Sequence, residues 1–347
     1  MLGNELNMRK VGYEMEQKMT VLVLLPVQEN HRDYLESCAP GAEFVYTSAA
    51  RLTREQLGRA QIILGNPPSG RIGECQSLRL LQLSSAGTDG FTGGVLPKGA
   101  VLTNSTGAYG LAISEHMLGV TLQLMKNFSR YQDNQRAYRW ESCGGVRGIA
   151  GSTALIIGLG DIGCEYAKRF RALGGRAIGV RRSAHGKPEE VDEIYQIDAL
   201  DGLLSQADVV ALSVPGGAAT YHLMNAERIS KMKPNAILLN VGRGTAVDTD
   251  ALCEALQQGR ILGAGLDVTD PEPLPPGHPL WDCPNALITP HVSGGYQLPE
   301  TFERVVRIAG ENLRRFLAGT ALLNEVDGQT GYTVPQTKAH FEELLGK

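Results

Sequence analysis

The segment Gly158-Leu159-Gly160-Asp161-Ile162-Gly163 constrains this chain more than any other. A glycine triplet alone is a weak signal. Here it follows an apolar run, Ala154–Ile157, and opens a helical pattern over Glu165–Leu173, so it reads as the turn of a β-α unit. In that setting the first glycine makes the turn, the second lets a pyrophosphate approach the backbone, and the third lets helix and strand pack closely. The helix N-terminus attracts the phosphate charge. Gly158, Gly160, Asp161, Ile162 and Gly163 are therefore candidate dinucleotide contacts, in preference to a purely structural glycine turn.

The surrounding pattern supports a complete domain of this kind. From Thr153 onward, strand-like runs recur at Ala154–Ile157, Ala177–Val180, Val209–Val214, Ala236–Val241, Gly263–Val268 and Ala286–Thr289, with helical stretches between them. An earlier series has strands at Val21–Leu25, Glu43–Tyr46, Gln61–Leu64, Arg79–Leu83 and Val101–Asn104. Helices are expected there at Arg32–Ser37 and at Thr53–Arg59, where Thr53 and Gln56 fit a capping box. A longer helix is expected over Gly110–Phe128, and a last one over Glu300–Leu317. Strands alternating with helices give the fold class α/β, with two doubly wound parallel-sheet domains. A length of 347 residues accommodates two such units. The expected division is a Rossmann domain at 110–291 inserted into a discontinuous domain at 19–109 and 292–327. Residues 129–150, with Tyr138, Trp140, Cys143, Gly144 and Gly145, form a long connector, read as a dimerisation arm. Residues 1–18 and 328–347 read as extensions, with Met19 as the structural start and Thr337–Leu345 as either a short docked helix or a free end.

Composition narrows the function. Glycine, at 42 residues, is abundant enough to imply many tight turns or close backbone approaches. The net charge of −4, with no long Lys/Arg run, argues against a nucleic-acid or membrane-surface partner. The longest apolar run, Val21–Val27, contains a proline and falls far short of the ~20 residues that span a bilayer. The cysteines at 38, 75, 143, 164, 253 and 283 show no CxxC pair, so neither a zinc site nor a disulfide framework is indicated. No metal is expected. The segment Met1–Lys18 is polar and lacks the apolar core of a secretion signal, so a cytoplasmic location is expected.

The coenzyme selector is sought just after the second strand of the dinucleotide fold. At that point the chain reads Gly179-Val180-Arg181-Arg182-Ser183, with no Asp or Glu. A carboxylate there would bind both ribose hydroxyls of NAD and repel a 2′-phosphate, whereas an arginine pair would bind that phosphate. NADP(H) is therefore favoured, with NAD(H) as the alternative.

Three charged positions follow later strands, where open α/β sheets hold their ligands. Arg243 lies between glycines in Asn240–Thr245, Glu272 lies between Pro271 and Pro273, and His291 sits in Thr289–Gly295. An arginine clamps the carboxylate of an α-keto acid and polarises its carbonyl. A histidine donates the proton that accompanies hydride delivery, and a glutamate beside it favours the protonated ring. Singly these would be a loop cap, a solvated acid and a structural histidine. Behind a dinucleotide loop their co-occurrence points to hydride transfer.

The order Gly158–Gly163, Asn240–Asp248, Leu266–Pro275 and Ile288–Gly295 resembles the D-isomer-specific 2-hydroxyacid dehydrogenase family. Leu83–Asp89, Asn104–Gly107, Ser114–His116 and Leu322–Asp327 resemble family positions too, so the likeness spans about residues 20 to 327. The resemblance implies a flavodoxin-like substrate domain facing the Rossmann domain across a hinged cleft, a homodimer, and reduction of a 2-oxoacid to a D-2-hydroxyacid. It implies that Arg243 binds the substrate carboxylate and carbonyl, that His291 is the acid/base at the meeting of substrate and cofactor, and that Glu272 is its partner. The amides of Ala86 and Gly87 would hold the carboxylate from the opposite domain. Asp267 and the carbonyl region of Val241 would face the nicotinamide carboxamide, and Pro215 would line the cofactor cleft. The Arg181-Arg182-Ser183 selector is similar to that of NADP-preferring glyoxylate/hydroxypyruvate reductases.

The chain departs from the family after Pro215, where a Leu-Thr-Pro-Glu-Thr-like run gives way to Gly216-Gly217-Ala218-Ala219-Thr220, altering the loop over the cofactor. His116 reads as structural, and His185 and His278 as surface residues. Two other readings stand beside the reductase. One is a nucleotide-sensing, corepressor-like binding protein with little catalysis. The other is a formate- or phosphite-type dehydrogenase, against which stand Glu272, where formate enzymes resemble one another in having Gln, and the arginine pair.

Overall fold

The computed structural model describes residues 18–182 and 186–334. Statements above about residues 1–17, Ser183, His185 and Thr337–Leu345 lie outside these described residues. The first sheet is built from β1 (Thr20–Val23), α1 (Glu29–Cys38), β2 (Glu43–Tyr46), α2 (Arg54–Arg59), β3 (Ile62–Leu64), β4 (Leu80–Gln82) and β5 (Val101–Thr103). Its strands run parallel in the order β2-β1-β3-β4-β5. The Thr53–Gln56 capping box forms, with the Gln56 amide 3.2 Å from Thr53 Oγ1 and the Thr53 amide 3.0 Å from Gln56 Oε1.

Two helices then lead into the second sheet, α3 (Gly110–Met125) and α4 (Phe128–Arg136). After them come β6 (Thr153–Ile157), α5 (Asp161–Ala172), β7 (Arg176–Arg181), β8 (Glu193–Gln196), α6 (Leu200–Leu203), β9 (Val209–Leu212) and α7 (Ala226–Ser230). The series ends with β10 (Ile237–Asn240), α8 (Thr249–Gln257), β11 (Gly263–Leu266) and β12 (Ala286–Ile288). All seven strands are parallel, in the order β12-β11-β10-β9-β6-β7-β8. Successive residues of β6 point to opposite faces, Ala154 and Ile156 into one apolar cluster and Leu155 and Ile157 into another, so the strand is covered on both sides. The last helix, α9 (Pro299–Ala318), returns to pack on α1 and β4 of the first sheet. The two expected doubly wound parallel sheets are thus present.

Three local expectations are corrected. The second sheet has a seventh strand, β8, at its edge. Its sequence, Glu-Ile-Tyr-Gln, carries no apolar run, because none of its four residues is fully buried. The long helix ends at Met125, where Asn127 adopts a left-handed φ of 58° and starts a separate helix that occupies the front of the 129–150 connector. And α5 begins at Asp161, four residues ahead of the periodic pattern, so the glycine loop runs directly into its first turn.

Candidate active site

The glycine loop has the form a dinucleotide requires. Gly158 has φ 99°, and a Cβ there would lie 2.7 Å from the Ser213 carbonyl oxygen. A Cβ on Gly163 would lie 2.0 Å from the Gly158 carbonyl oxygen, so only glycine lets α5 approach the turn. Gly160, at the N-cap of α5, instead faces open space. The first-turn amides of α5 at Asp161, Ile162 and Gly163 have no acceptor within the helix. These residues fit a pyrophosphate.

Asp161 reaches the other way. Its carboxylate accepts the Gly110 amide at 2.8 Å, fastening the start of α3 to the start of α5. Desolvation pushes this carboxyl up from its ordinary value, against the lowering effect of the Gly110 amide. The Asp161 side chain is thus engaged with the backbone of α3, while its amide stands in the first turn of α5.

At the end of β7, Arg181 donates to the Gly186 carbonyl oxygen. Arg182 is exposed, and its guanidinium lies over the Tyr332 ring, 3.7 Å from the centroid. Pro215 is exposed after β9, and its carbonyl accepts the Thr220 hydroxyl at 2.8 Å, closing the divergent Gly216–Thr220 loop. Val241 is buried, its amide bonded to the Leu212 carbonyl at 3.1 Å.

The loop after β10 carries Arg243. Asn240, fully buried, receives the Gly242 amide at 3.1 Å and donates to the Arg243 carbonyl at 2.9 Å. Both flanking glycines are sterically required. A Cβ on Gly242 would sit 2.4 Å from the Val214 carbonyl oxygen, and one on Gly244 would sit 1.8 Å from that of Thr269. So held, Arg243 projects to the loop after β4, where its Nε and Nη2 donate to one oxygen of Asp89 at 3.1 and 2.5 Å. Its Nη2 would lie only 2.1 Å from a Cβ on Gly87.

That facing loop is braced from several sides. Asn66 accepts the Ser84 amide at 2.8 Å and donates to the Ser85 hydroxyl at 2.9 Å. The Tyr109 hydroxyl donates to the Ser84 carbonyl, and Asn104 donates to the Ala86 carbonyl at 2.8 Å. Among the described residues the amides of Ala86 and Gly87 have no protein acceptor. The structure therefore brings Arg243, Ala86 and Gly87 together.

His291 follows β12 with a left-handed φ of 53°, its amide 2.8 Å from the Asp267 carbonyl oxygen. A left-handed histidine is unusual, and here the backbone bonds around it hold that conformation. Its Nδ1 lies 2.7 Å from Glu272 Oε1, which brings the expected acid/base pair together. Asp267 follows directly on β11. Its carboxylate is buried and accepts the Thr289 hydroxyl at 2.6 Å, the Val292 amide at 2.9 Å, and the Ser293 amide and hydroxyl at 3.0 and 2.5 Å. Burial alone would raise this carboxyl, but the bonds from Ser293, Thr289 and Val292 outweigh it and hold the carboxyl below its ordinary value. These four donors tie the carboxylate to the loop that carries His291. His116 Nε2 lies 3.3 Å from the Thr289 hydroxyl.

Sequence reasoning assigned no role to Asp89, Asn66 or Tyr332. An acid two residues after Gly87 was a visible signal for the first, and a polar residue just past β3 for the second. Nothing short of the folded chain places Tyr332. Among the described residues no group of His, Cys, Asp and Glu forms a metal site, and no helix is long and apolar enough to cross a membrane.

A doubly wound domain with this glycine loop, set beside a second parallel-sheet domain with Arg, Glu and His after strand ends, defines a dinucleotide-dependent oxidoreductase. Residues 118–293 match the model of the D-isomer specific 2-hydroxyacid dehydrogenase NAD binding domain. The chain is 35% identical over 73% of its length to glyoxylate/hydroxypyruvate reductase B of Pectobacterium carotovorum, covering 80% of that protein. A D-isomer specific 2-hydroxyacid dehydrogenase family protein from Aeromonas salmonicida superposes with a TM-score of 0.80 at 32% identity, covering 90% of this chain and 100% of that one. A D-isomer specific 2-hydroxyacid dehydrogenase from Xanthobacter autotrophicus, solved with NADPH and MES, gives 0.77 at 29% identity over 91% of this chain and 100% of that one. The protein belongs to the D-isomer specific 2-hydroxyacid dehydrogenase family and is an NAD(P)-linked oxidoreductase of the 2-oxoacid/2-hydroxyacid class.

Proposed function

We propose that this enzyme reduces a small 2-oxoacid to the D-2-hydroxyacid with NADPH as the preferred coenzyme. Residues 19–109 and 292–327 form the substrate domain and 110–291 the cofactor domain. The observation that carries the reading is the meeting of Arg243 with the Ala86–Asp89 loop across the two domains, where a guanidinium held by the Asp89 carboxylate can take a substrate carboxylate in its place. The amides of Ala86 and Gly87 complete this carboxylate slot from the substrate side. His291 donates a proton to the carbonyl oxygen, and Glu272 orients its ring through Nδ1 and stabilises the imidazolium. The α5 N-terminus with Gly158, Gly160 and Gly163 holds the pyrophosphate, Arg181 and Arg182 receive the 2′-phosphate, and Val241 and Pro215 border the nicotinamide end. When bound, the coenzyme supplies the hydride. Closure of the two domains excludes water from the slot.

The connector carries Tyr138 and Trp140 fully exposed, with Tyr131 and Val146 also presenting apolar surface. Exposed apolar side chains of this kind support a dimerisation arm and hence a homodimer.

The test crosses NADPH and NADH with a panel from glyoxylate to phenylpyruvate, following absorbance at 340 nm. Turnover with NADPH and a 2-oxoacid supports the reading. His291→Ala should then lower turnover about 10²–10⁴-fold with NADPH binding retained. Silence across the panel with NADPH still bound in titration overturns it in favour of a nucleotide sensor.

A further inference from the structure

The segment after α9 adds to the first sheet and then turns back on itself. The Val326 amide bonds the Leu102 carbonyl of β5 at 2.8 Å. A tight turn follows: the Gly331 amide donates to Asp327 O at 2.8 Å, the Asp327 amide to Tyr332 O at 2.9 Å and the Val334 amide to Glu325 O at 2.7 Å. The Asp327 carboxylate closes the turn by accepting the amides of Gln329 and Thr330 at 2.8 and 3.2 Å, which hold its carboxyl below the ordinary value. This hairpin is tied to the substrate loop. The Gly93 amide donates to Gly328 O at 2.8 Å, and the Thr88 hydroxyl, next to Gly87, donates to Gly331 O at 3.1 Å. From this base Tyr332 extends its ring to the other domain, where the Arg182 guanidinium lies on it at 3.7 Å.

We propose that Tyr332 is a specificity-determining positioning residue, which holds Arg182 face-on so that its edge is presented to the 2′-phosphate of NADP(H). The inference rests on the NADPH reading above and adds to it a residue from the other domain. A guanidinium stacked on an aromatic ring keeps all five N–H donors in its plane, free for phosphate oxygens. The ring also restricts the rotamers of an otherwise exposed arginine, so less freedom is lost when the phosphate arrives. NADH has no 2′-phosphate and draws no benefit. Because the hairpin is anchored beside Gly87, the contact also links the selector to the domain that holds the substrate carboxylate.

The experiment measures equilibrium binding of NADPH, NADH and 2′,5′-ADP by fluorescence titration and calorimetry. The proteins are wild type, Tyr332→Ala, Tyr332→Leu, Tyr332→Phe, Arg182→Ala and Arg182→Ala/Tyr332→Ala. Loss of an exposed cation–π contact should raise the Kd for NADPH and 2′,5′-ADP about two- to fivefold in the Ala and Leu variants and lower the NADPH/NADH discrimination by the same factor. Tyr332→Phe keeps the ring and should stay near wild type, and Tyr332→Ala should add nothing in the Arg182→Ala background. The inference is overturned if NADPH and NADH weaken together, if neither weakens, or if Phe behaves as Ala. If Arg182→Ala lowers discrimination and Tyr332→Ala does not, the selector stands and the role of Tyr332 falls. If Arg182→Ala itself changes nothing, the selector reading falls with it.

Discussion

Gly87→Ala separates binding geometry from stability at the proposed substrate slot. Its added methyl would sit 2.1 Å from Arg243 Nη2, with Asp89 Oδ2 the next atom at 3.2 Å. Ordinary contact begins near 3.4 Å, so the guanidinium has to withdraw by roughly an ångström. The yielding atom is the far end of a flexible side chain, and Gly87 is not among the glycines with positive φ, so the fold itself bears little strain. The Arg243–Asp89 pair that gives way is half exposed, its members at 33% and 63%, and contributes at most about 1 kcal/mol.

Function is affected much more. A displacement of about 1 Å in a group that orients substrate lowers catalysis on the order of 10²-fold. We therefore expect kcat/KM for the 2-oxoacid to fall about 10²-fold, the loss lying mostly in KM, with Tm within a few degrees of wild type and the NADPH Kd unchanged. Steady-state kinetics, thermal unfolding and coenzyme titration on one preparation check all three. If kcat/KM stays within threefold of wild type while the variant is folded, the slot between Arg243 and the Gly87 loop is not where the carboxylate binds.

Asp267→Asn should lower stability by about 1.5–3 kcal/mol near neutral pH, because an amide cannot accept from four donors. A carboxyl held below its ordinary value in the folded protein stabilises above the unfolded value near 3.9 and loses that contribution as the pH falls through the lower folded value. The Tm gap between wild type and variant should therefore be full at pH 6 to 7 and narrow below about pH 4; a gap independent of pH would contradict the assignment. Replacing Tyr138 and Trp140 by serine should shift a dimer toward monomer in light scattering behind size exclusion, and an unaltered mass would move the interface elsewhere.

Much of the architecture is legible because strands covered on both faces read as continuous apolar runs, as Thr153–Ile157 and Ile237–Asn240 do. Elements that bury little escape this reading. The edge strand β8 and the polar helix α4, none of whose residues is buried, carry no apolar period. At the site, residue types after strand ends located Arg243, Glu272 and His291, because the sheet topology places such ends together. Partnerships escaped it. The donors to Asp267, at Thr289, Val292 and Ser293, arrive from a loop 22 to 26 residues further on. Asp89 and Arg243 are 154 residues apart, and only folding shows that they pair.

That pair bears on how the slot selects its substrate. Arg243 faces a carboxylate of its own chain, and Asp89 holds it by two donors on one oxygen. On the proposed reading a substrate enters by exchanging one anion for another at the same guanidinium. A neutral carbonyl compound offers nothing in return for the lost Asp89 contact, whereas a 2-oxoacid replaces it and adds the amides of Ala86 and Gly87. Gly216, where the family usually carries leucine, borders the same pair: a Cβ there would lie 3.3 Å from Arg243 Cγ and 3.8 Å from Asp89 Oδ1. A bulky residue at 216 would press the arginine stem and the displaced aspartate together, so the shortened side chain in this loop gives Asp89 room to move aside. Discrimination for carboxylates then resides in the exchange itself, and it weakens with ionic strength because Asp89 is mostly in solvent.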